Sequence, residues 1–576
     1  MINKNKGITL LALIITVIVM MILAGVTLSM LFGEEGVVTK GRNAAMQTEK
    51  KSIHENVLGL ITYFEEGIKD LDTTYENIDK HYGTDLIDAT RGKTLLTVKI
   101  KGKHGEYEYQ IDGLSALNEG EAYVILVDDG SGSSTYTMYF IKNEETLEDT
   151  KTYYYDEKWN EIIEDTEENK EKIEKSKAKK VEKLYLGIEV KSGWKEKKLL
   201  VTSIICKDYI KAPQSLFEYF SNFEICEKIN LEKFDTSEVV NMQRLFSGCY
   251  KLKKIDLSTF NTLKVKKMEA FFYMCNELEE IVFGNNWNTS NVEDMSHMFA
   301  ECLKLESIDL SNFNTEKVTK MNNMFWRSSN LKSIDLSNFN TERVENISQI
   351  FSGCSSLVSV DLSNFNTKVV KDMNGMFNNC EKLESIKFGE NWNTSNVEDM
   401  SGMFAWCISL TNIDLINFNT INVKDMSTMF NNCKKIEKIE FGENWNTSNV
   451  EDMSSMFAWC ISLTILDLSK FNTINVKDMN AMFNKCEKIE KIEFGENWNT
   501  SKVTSMRYMF MHCKKILNIE CKLWETLNVE DMEYMFTNCQ NLTQEIDCSS
   551  WNVDKVVAYN NFNLNAPNVI QPNWVN

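Results

Sequence analysis

Cysteine is the residue whose number and spacing could most directly support chemistry in this chain. The 576-residue sequence contains 15 cysteines, and most of them occupy one position of a repeat. These are Cys249, Cys275, Cys302, Cys354, Cys380, Cys407, Cys433, Cys460, Cys486, Cys513 and Cys539. Regular thiols could form disulfides or bind a metal ion. However, Ser329 takes the same slot once without any change in a partner, and no C-x-x-C pair occurs. We therefore expect free, buried thiols and no metal site.

Histidines and phosphate-binding motifs provide no catalytic constellation. The 5 histidines are scattered, none recurs with the repeat, and no Ser/His/Asp or zinc-ligand spacing surrounds them. There is also no G-x-x-x-x-G-K-[ST] loop. The sequence therefore predicts a protein that is not an enzyme and needs no cofactor.

Acidic side chains form the most regular polar pattern. One carboxylate recurs in most repeats, at Asp256, Asp309, Asp335, Asp361, Asp414, Glu440, Asp467, Glu493, Glu520 and Asp547. Stacked repeats would place these like charges about 5 Å apart, where they repel. One interpretation is a solvated acidic stripe whose charge is screened by salt. The other is a face that binds cations or a basic partner. A second stack, of Asn288, Asn314, Asn340 and Asn366, is predicted to be a structural amide ladder.

The overall charge excludes one class of partner. The formal net charge is -21 and the pI is near 5.0, and no concentrated basic patch offsets this excess. An acidic surface repels the phosphates of a duplex. We therefore expect no nucleic-acid binding.

The repeat itself predicts the architecture that positions these residues. Twelve apolar residues, eleven of them methionines, run from Met242 to Met532 at spacings of 26 or 27 residues. Repeats of 20–29 residues are typical of leucine-rich solenoids, whereas propeller blades need about 40 or more. One such coil is too small to bury its own apolar face, so stacked coils must share a core. The fold class predicted is an α/β repeat solenoid, with about thirteen right-handed coils.

One coil, residues 287–313, illustrates the predicted elements. Asp294 is expected to cap a short helix, and the four residues Met295, Met298, Phe299 and Cys302 would form its buried face.

A strand is predicted to follow the helix, with Leu305, Ile308 and Leu310 on it and Phe313 closing the turn inward. Some coils contain one extra residue, which accompanies Gly284, Gly389, Gly442 or Gly495. We attribute this to a turn insertion that uses a backbone conformation other residues resist.

The N-terminus predicts a membrane anchor. Residues 8–32 carry no charge, and about 20 apolar residues suffice to cross a bilayer. Lys4 and Lys6 precede this run, which places the N-terminus in the cytoplasm and the remainder outside. The predicted organisation is a leader and transmembrane helix over 1–33, a helical stem over 34–70, a small β-rich head over 71–160, a charged helical linker over 161–183, a transition over 184–215, the solenoid over 216–562 and a tail over 563–576.

The leader Lys6-Gly7-Ile8-Thr9-Leu10-Leu11 resembles that of type IV prepilins, which a prepilin peptidase cleaves between the residues equivalent to Gly7 and Ile8. The resemblance implies that the apolar helix stays on the mature protein. Ala12 departs from the family pattern, which has Glu at that position, and this weakens the case for assembly into a pilus. An uncleaved signal anchor is the other interpretation.

The repeat N-T-S-N-V-x-D-M-S-x-M-F-x-x-C resembles the BspA-type leucine-rich-repeat surface proteins of bacteria, over residues 216–562. That resemblance implies a surface protein that adheres to host matrix or to other cells. Together with the anchor predicted at the N-terminus, we expect a membrane-anchored protein that binds a surface protein or matrix of a host or a neighbouring cell. The alternative is a pilin-like or pseudopilin subunit of a type IV pilus or a type II secretion-like system, with the filament tip as one position for it.

Overall fold

The computed structural model describes residues 198–574 without a break and, between residues 62 and 186, a series of shorter stretches. The chain divides into two compact units, residues 1–115 and 116–576. The predicted transmembrane helix over 8–32 and the predicted cleavage site at Gly7 and Ile8 lie outside the described residues. Within the described part, none of the helices has the length and apolar character needed to span a bilayer.

The strands of the first unit are short and pair in antiparallel fashion. They are β1 (Thr62–Tyr63), β2 (Lys69–Asp70), β3 (Leu86–Arg91), β4 (Leu95–Lys101) and β5 (Glu106–Asp112). The β1–β2 pair falls inside the stem that we predicted to be helical over 34–70, so that prediction is wrong at its C-terminal end. The hairpin of β4 and β5 agrees with the predicted β-rich segment.

The second unit begins with an antiparallel sheet. Its elements are β6 (Tyr123–Asp128), β7 (Tyr136–Ile141), β8 (Tyr153–Asp156), β9 (Glu161–Glu164), the helix α1 (Lys170–Ser176) and β10 (Lys179–Leu186). The predicted charged helical linker over 161–183 is therefore wrong for most of its length. Val181 is buried and Ile162 partly buried in a small cluster on this sheet, so these few apolar residues select strands despite the surrounding charges.

The solenoid continues this sheet, because β7 pairs in parallel with the first solenoid strand. The remaining strands are β11 (Val201–Cys206), β12 (Ile210–Lys211), β13 (Lys228–Asn230), β14 (Phe234–Asp235), β15 (Lys254–Leu257), β16 (Glu280–Phe283), β17 (Ser359–Leu362), β18 (Ser385–Phe388), β19 (Asn412–Leu415), β20 (Lys438–Phe441), β21 (Ile465–Leu468), β22 (Lys491–Phe494), β23 (Ile546–Asp547) and β24 (Val569–Ile570). All strand pairs within the solenoid are parallel.

A second line of hydrogen bonds runs along the solenoid and shows how many coils it has. Parallel bridges connect 14 equivalent residues, from Ser215 to Ala558, with one residue contributed by each coil. The prediction of one stacked solenoid is confirmed, with about fourteen coils rather than thirteen. At about 4.8 Å per coil the stack is roughly 60 Å long.

The segment predicted to be helical is instead a succession of turns. In residues 294–302 the N–H groups of Met295, His297, Phe299 and Glu301 donate to carbonyl oxygens of the next coil at 2.7–3.1 Å. An α-helix would direct these bonds along its own axis. His297 and Glu301 also adopt φ values of 57° and 56°, outside the helical region. The fold is therefore a β-solenoid, and the predicted α/β class is wrong in its helical half.

The side chains predicted to be buried nevertheless are buried, because the turns present the same residues inward. Met295, Met298, Phe299 and Cys302 are all 0% exposed. One phenylalanine per coil forms a continuous stack from Phe220 to Phe536, with ring centroids 5.3–6.0 Å apart and planes within 22° of parallel. Stacked rings at this spacing stabilise one coil against the next beyond the burial of their area.

Threonine side chains, rather than asparagine side chains, connect neighbouring coils at the turn that contains Thr262 and its equivalents. The Thr262 hydroxyl donates to the Asn288 carbonyl at 2.8 Å and accepts the Asn288 N–H at 2.6 Å. The Asn288 side chain accepts the N–H of Ser290, two residues later in its own coil. The predicted amide ladder is therefore wrong, because these asparagines satisfy local turns.

Aspartates occupy the bridge column on five consecutive coils, at Asp372, Asp399, Asp425, Asp452 and Asp478. The Asp399 carboxylate accepts the Ser401 N–H at 2.8 Å. This hydrogen bond closes a turn between the side chain and the backbone two residues later. Asp294 lies in the same column, so the helix cap that we predicted for it is wrong. Burial, together with the neighbouring carboxylates Asp425 and Asp372, raises the pKa of Asp399 despite this hydrogen bond.

The extra residue in the longer coils accompanies a glycine for a reason we did not predict. A Cβ on Gly442 would lie 1.8 Å from the carbonyl oxygen of Ile416, in the preceding coil. Gly284, Gly389 and Gly495 face the preceding coil in the same way. None of the four has a left-handed backbone, so close approach of two coils requires glycine here.

We predict that Gly442→Ala destabilises the solenoid by at least ~2 kcal/mol, because the overlap forces two backbones apart. Gly402→Ala is the matched control. Gly402 has a φ of 60°, but Ala481 already adopts 55° in the same column, so the cost should be about 1 kcal/mol. Urea unfolding of both variants followed by circular dichroism tests this. Equal losses of stability would contradict it.

We also predict that Asp399→Asn raises the melting temperature at pH 7. A carboxyl whose folded-state pKa is raised costs stability above its usual pKa, and the cost disappears as falling pH protonates it. In the same column the Asn346 amide donates to Asp372 at 3.1 Å, so an amide at 399 can donate to Asp425. One such bond contributes about 1 kcal/mol, or roughly 2 °C.

The gain should shrink towards pH 3, where the wild-type carboxyl is already neutral. Asp335→Asn is the control, because hydrogen bonds from Ser337 lower the pKa of Asp335 and no gain is expected there. A gain that is independent of pH would refute the electrostatic explanation.

Candidate functional site

The strand face carries the acidic residues that we predicted to bind a ligand. Their side chains point outward, because their neighbours alternate inward, as Ile413 and Leu415 do on either side of Asp414. The six aspartates of the predicted face are exposed, and Glu440 and Glu493 are partly exposed. These aspartates are Asp256, Asp309, Asp335, Asp361, Asp414 and Asp467.

The column is not a single acidic ladder. Val282 pairs with Asp256 in register, and Lys387 pairs with Asp361. The Lys387 ammonium also lies 2.9 Å from the Asp361 carboxylate. Two runs of carboxylates remain on consecutive coils. The first is Asp309, Asp335 and Asp361, and the second is Asp414, Glu440, Asp467, Glu493, Glu520 and Asp547.

Each aspartate of this face also has a structural role. The Asp309 carboxylate accepts the Ser311 N–H at 2.9 Å, and Asp335 accepts that of Ser337 at 2.9 Å. Asp361, Asp414 and Asp467 make the equivalent bond two residues on. These bonds close the corner after the strand. The sequence pattern alone did not separate this role from ligand binding.

The hydrogen bonds outweigh the repulsion between neighbours. The pKa of Asp335 is lowered by the backbone and side chain of Ser337, and the opposing effect of Asp309 is the smallest of its influences. Hydrogen bonds from Ser363 and Lys387 lower the pKa of Asp361 to about 2. The carboxylates of Asp335 and Asp361 therefore stay charged at neutral pH and contribute negative charge to this face.

The glutamates of the second run differ from the aspartates. Glu440 forms an ion pair with Lys438, and Glu493 forms one with Lys491, each from its own strand. These lysines neutralise part of the run. Asp414 and Asp467 form no ion pair within the part of the chain that the structure describes.

The cysteines form an interior column. Each thiol donates to the carbonyl of a phenylalanine one coil back, as Cys433 does to Phe404 at 3.1 Å. Ser328, and not Ser329, takes the missing place, and its hydroxyl donates to Phe299 at 2.7 Å. Burial raises the pKa of the Cys433 thiol to about 12, so a reactive thiolate is disfavoured. Among the described residues no group of three or more metal-ligating side chains is assembled.

A second surface was missed by the sequence analysis. The residue before the bridge column alternates in charge over six consecutive coils, from Glu345 to Lys477. Ion pairs join Lys371 to Glu345 at 3.1 Å and Lys424 to Glu398 at 2.6 Å. These four residues help to line an open groove of about 540 Å³. The alternation was visible in the sequence at the residue that directly follows the repeated valine, as Glu345 follows Val344 and Lys371 follows Val370. Opposite charges cancel there, so this groove offers less potential to a charged ligand than the strand face does.

Two exposed tryptophans were also missed. Trp406 and Trp459 are 47% and 39% exposed, whereas the stacked phenylalanines of the coils are fully buried. Their signal in the sequence was the repeated segment A-W-C-I-S-L, in which tryptophan precedes the interior cysteine.

Comparison with known proteins finds two similar solved structures. A crystal structure of a leucine-rich cell surface protein from Faecalibacterium prausnitzii A2-165 is similar at 14% identity and a TM-score of 0.28, covering 80% of this chain and 96% of that one. TLR13, in its complex with ssRNA13, is similar at 13% identity and a TM-score of 0.16, covering 64% and 70%. No curated protein matches the chain.

The model of one protein family matches five overlapping segments, at residues 208–307, 274–388, 358–464, 408–494 and 460–574. Together they cover the whole solenoid and more than half of the chain. The chain therefore belongs to the family described as mycoplasma protein of unknown function, DUF285.

Proposed function

We propose that this protein is a cell-surface binding protein that uses the strand face of its solenoid to hold a basic or cation-bridged partner. The observation that carries the proposal is the separation of roles between the two sides of each coil. Inward positions repeat the same apolar residue types and build a rigid frame, whereas the outward strand position of that frame carries a carboxylate in most coils. Stacked repeats present such outward positions as one extended surface for binding a partner.

Electrostatics favours the strand face over the other surfaces. Its carboxylates stay ionised because turn hydrogen bonds lower the pKa of Asp309, Asp335 and Asp467. Repeated like charges raise the local negative potential, which attracts cations and speeds encounter with a positive patch. A partner could be a surface protein or matrix of a host or a neighbouring cell.

Membrane attachment through residues 8–32 and cleavage after Gly7 by a prepilin peptidase belong to the same proposal. They rest on the apolar run and on the resemblance of the leader. Fractionation of cells that express the full chain tests attachment. Recovery of full-length protein in the soluble medium would refute it.

The fourfold variant Asp309→Asn, Asp335→Asn, Asp361→Asn and Asp414→Asn tests the strand face. An asparagine oxygen can still accept the N–H two residues on, so the corners should persist while four charges are lost. We expect binding to a lysine-rich peptide to weaken at least tenfold, and the salt dependence of its Kd to flatten. Titration of the purified full chain at several NaCl concentrations measures both effects.

The control removes four charges from another column, at Glu345, Glu398, Glu451 and Glu530, by substitution with Gln. It should weaken binding by much less, because those glutamates lie outside the strand face. If both variants lose affinity equally, net charge and not this face governs binding, and the proposal fails.

A further inference from the structure

The solenoid carries a second surface whose chemistry differs from that of the acidic face. It consists of the two columns of left-handed residues that follow the bridge column, over the five coils from Gly375 to Lys485. We name this surface the tryptophan stripe. Its members are Gly375, Asn379, Gly402, Trp406, Thr428, Asn432, Ser455, Trp459, Ala481 and Lys485.

Backbone hydrogen bonds hold the stripe in register. The Trp406 N–H donates to Asn431 in the next coil, and the Asn432 N–H donates to Ala458 in the coil after that, both at 2.7 Å. Trp406 and Trp459 therefore stand two coils apart, a separation of about 10 Å along the solenoid axis. The spacing of their backbones is set by the fold and not by a mobile loop.

The two indoles are available to a ligand. Trp406 is 47% and Trp459 39% exposed, and neither belongs to the core cluster. The Lys485 ammonium lies 3.5 Å from the centre of the Trp459 ring, which favours one orientation of that ring. Large exposed aromatic rings on a rigid frame provide contact area with little loss of side-chain entropy.

The stripe is almost uncharged on a protein with a net charge of -21. Lys485 is its only ionisable side chain. Towards the N-terminus the same two columns carry cross-coil ion pairs, between Arg244 and Glu218 at 3.1 Å and between Arg327 and Glu301 at 3.5 Å. Apart from Lys485, a charged partner would find no matching charge over the tryptophan stripe, whereas a neutral partner would lose no ionic solvation there.

Amide and hydroxyl side chains supply the polar component. Asn379, one coil before Trp406, is partly exposed, as are Thr428 and Ser455 in the other column of the stripe. Such groups both donate and accept hydrogen bonds, as the hydroxyls of a neutral ligand require.

We propose that the tryptophan stripe binds an extended, uncharged β-1,4-linked glycan, with Trp406 and Trp459 stacked on two of its sugar rings. The apolar face of a pyranose packs on an indole, while its hydroxyls bond to amides. Successive sugars of such a chain are turned over, so every second ring presents the same face. The distance between those rings is comparable to two coils of the solenoid.

Titration calorimetry of the purified full chain with cellobiose, cellotetraose and chitotetraose tests the proposal. A disaccharide can reach only one tryptophan, whereas a tetrasaccharide reaches both. We expect at least a tenfold gain in affinity from cellobiose to cellotetraose, because the second contact becomes intramolecular. Maltotetraose, whose α-linkages curve the chain, should bind at least tenfold more weakly than cellotetraose.

Trp406→Ala and Trp459→Ala should each abolish the gain from disaccharide to tetrasaccharide while leaving the melting temperature unchanged, because both rings lie outside the core. Trp326→Ala, which removes a tryptophan elsewhere on the same solenoid, should bind as the wild type does. The fourfold aspartate variant should also bind glycan normally, which separates this site from the acidic face.

Two results would overturn the proposal. The first is that neither β-linked tetrasaccharide binds the wild-type chain, which would leave the stripe as a contact for a protein surface. The second is that the double variant Trp406→Ala, Trp459→Ala binds cellotetraose as tightly as the wild type does.

Discussion

Hydrogen bonding from one coil to the next is the constraint on which the rest of this structure depends. Peptide N–H groups in the turns donate to carbonyl oxygens of the following coil, whereas those just before the bridge column and at the start of the strands donate to the preceding coil, as Lys266 does to Val240 and Glu279 does to Lys253. A coil by itself would leave these groups without partners, at a cost comparable to that of a lost hydrogen bond for each buried group. Equivalent residues must therefore superpose at every step. The period of 26 or 27 residues, and the single stack of phenylalanines, follow from that requirement.

The same constraint accounts for the unusual backbone of the turns. Two positions in each coil adopt positive φ, including bulky residues such as Trp406 and Tyr508. A left-handed conformation costs about 1–2 kcal/mol for a residue with a Cβ. Here the conformation places the N–H of Trp406 2.7 Å from a carbonyl of the next coil. The bond to the neighbour offsets the local strain, and the outward side chain is left free to vary.

Aspartates in two different columns have pKa values that are shifted in opposite directions. Burial raises the pKa of Asp399 in the bridge column, whereas hydrogen bonds from Ser337 lower that of Asp335 on the strand face. Both aspartates close a turn by accepting an N–H two residues later. The charge on Asp399 therefore weakens the fold at neutral pH, whereas the charge on Asp335 is stabilised by the hydrogen bonds that it accepts. The antiparallel sheet of β6 to β10 covers the first solenoid strand and leaves no unpaired edge there.

The sequence by itself determined the period, the buried residues and the existence of a stacked solenoid. These depend on apolar spacing, and Met298, Phe299 and Leu310 are buried as that spacing predicts. The sequence could not distinguish these turns from a helix. Residues at i, i+3, i+4 and i+7 share one face of a helix, and the same residues also point inward in these turns. The role of Gly442 and the break at Lys387 depend on atoms in a neighbouring coil, about 26 residues away in sequence. Only the tertiary structure decides which residues those neighbours are, because the register between coils sets every contact made across them.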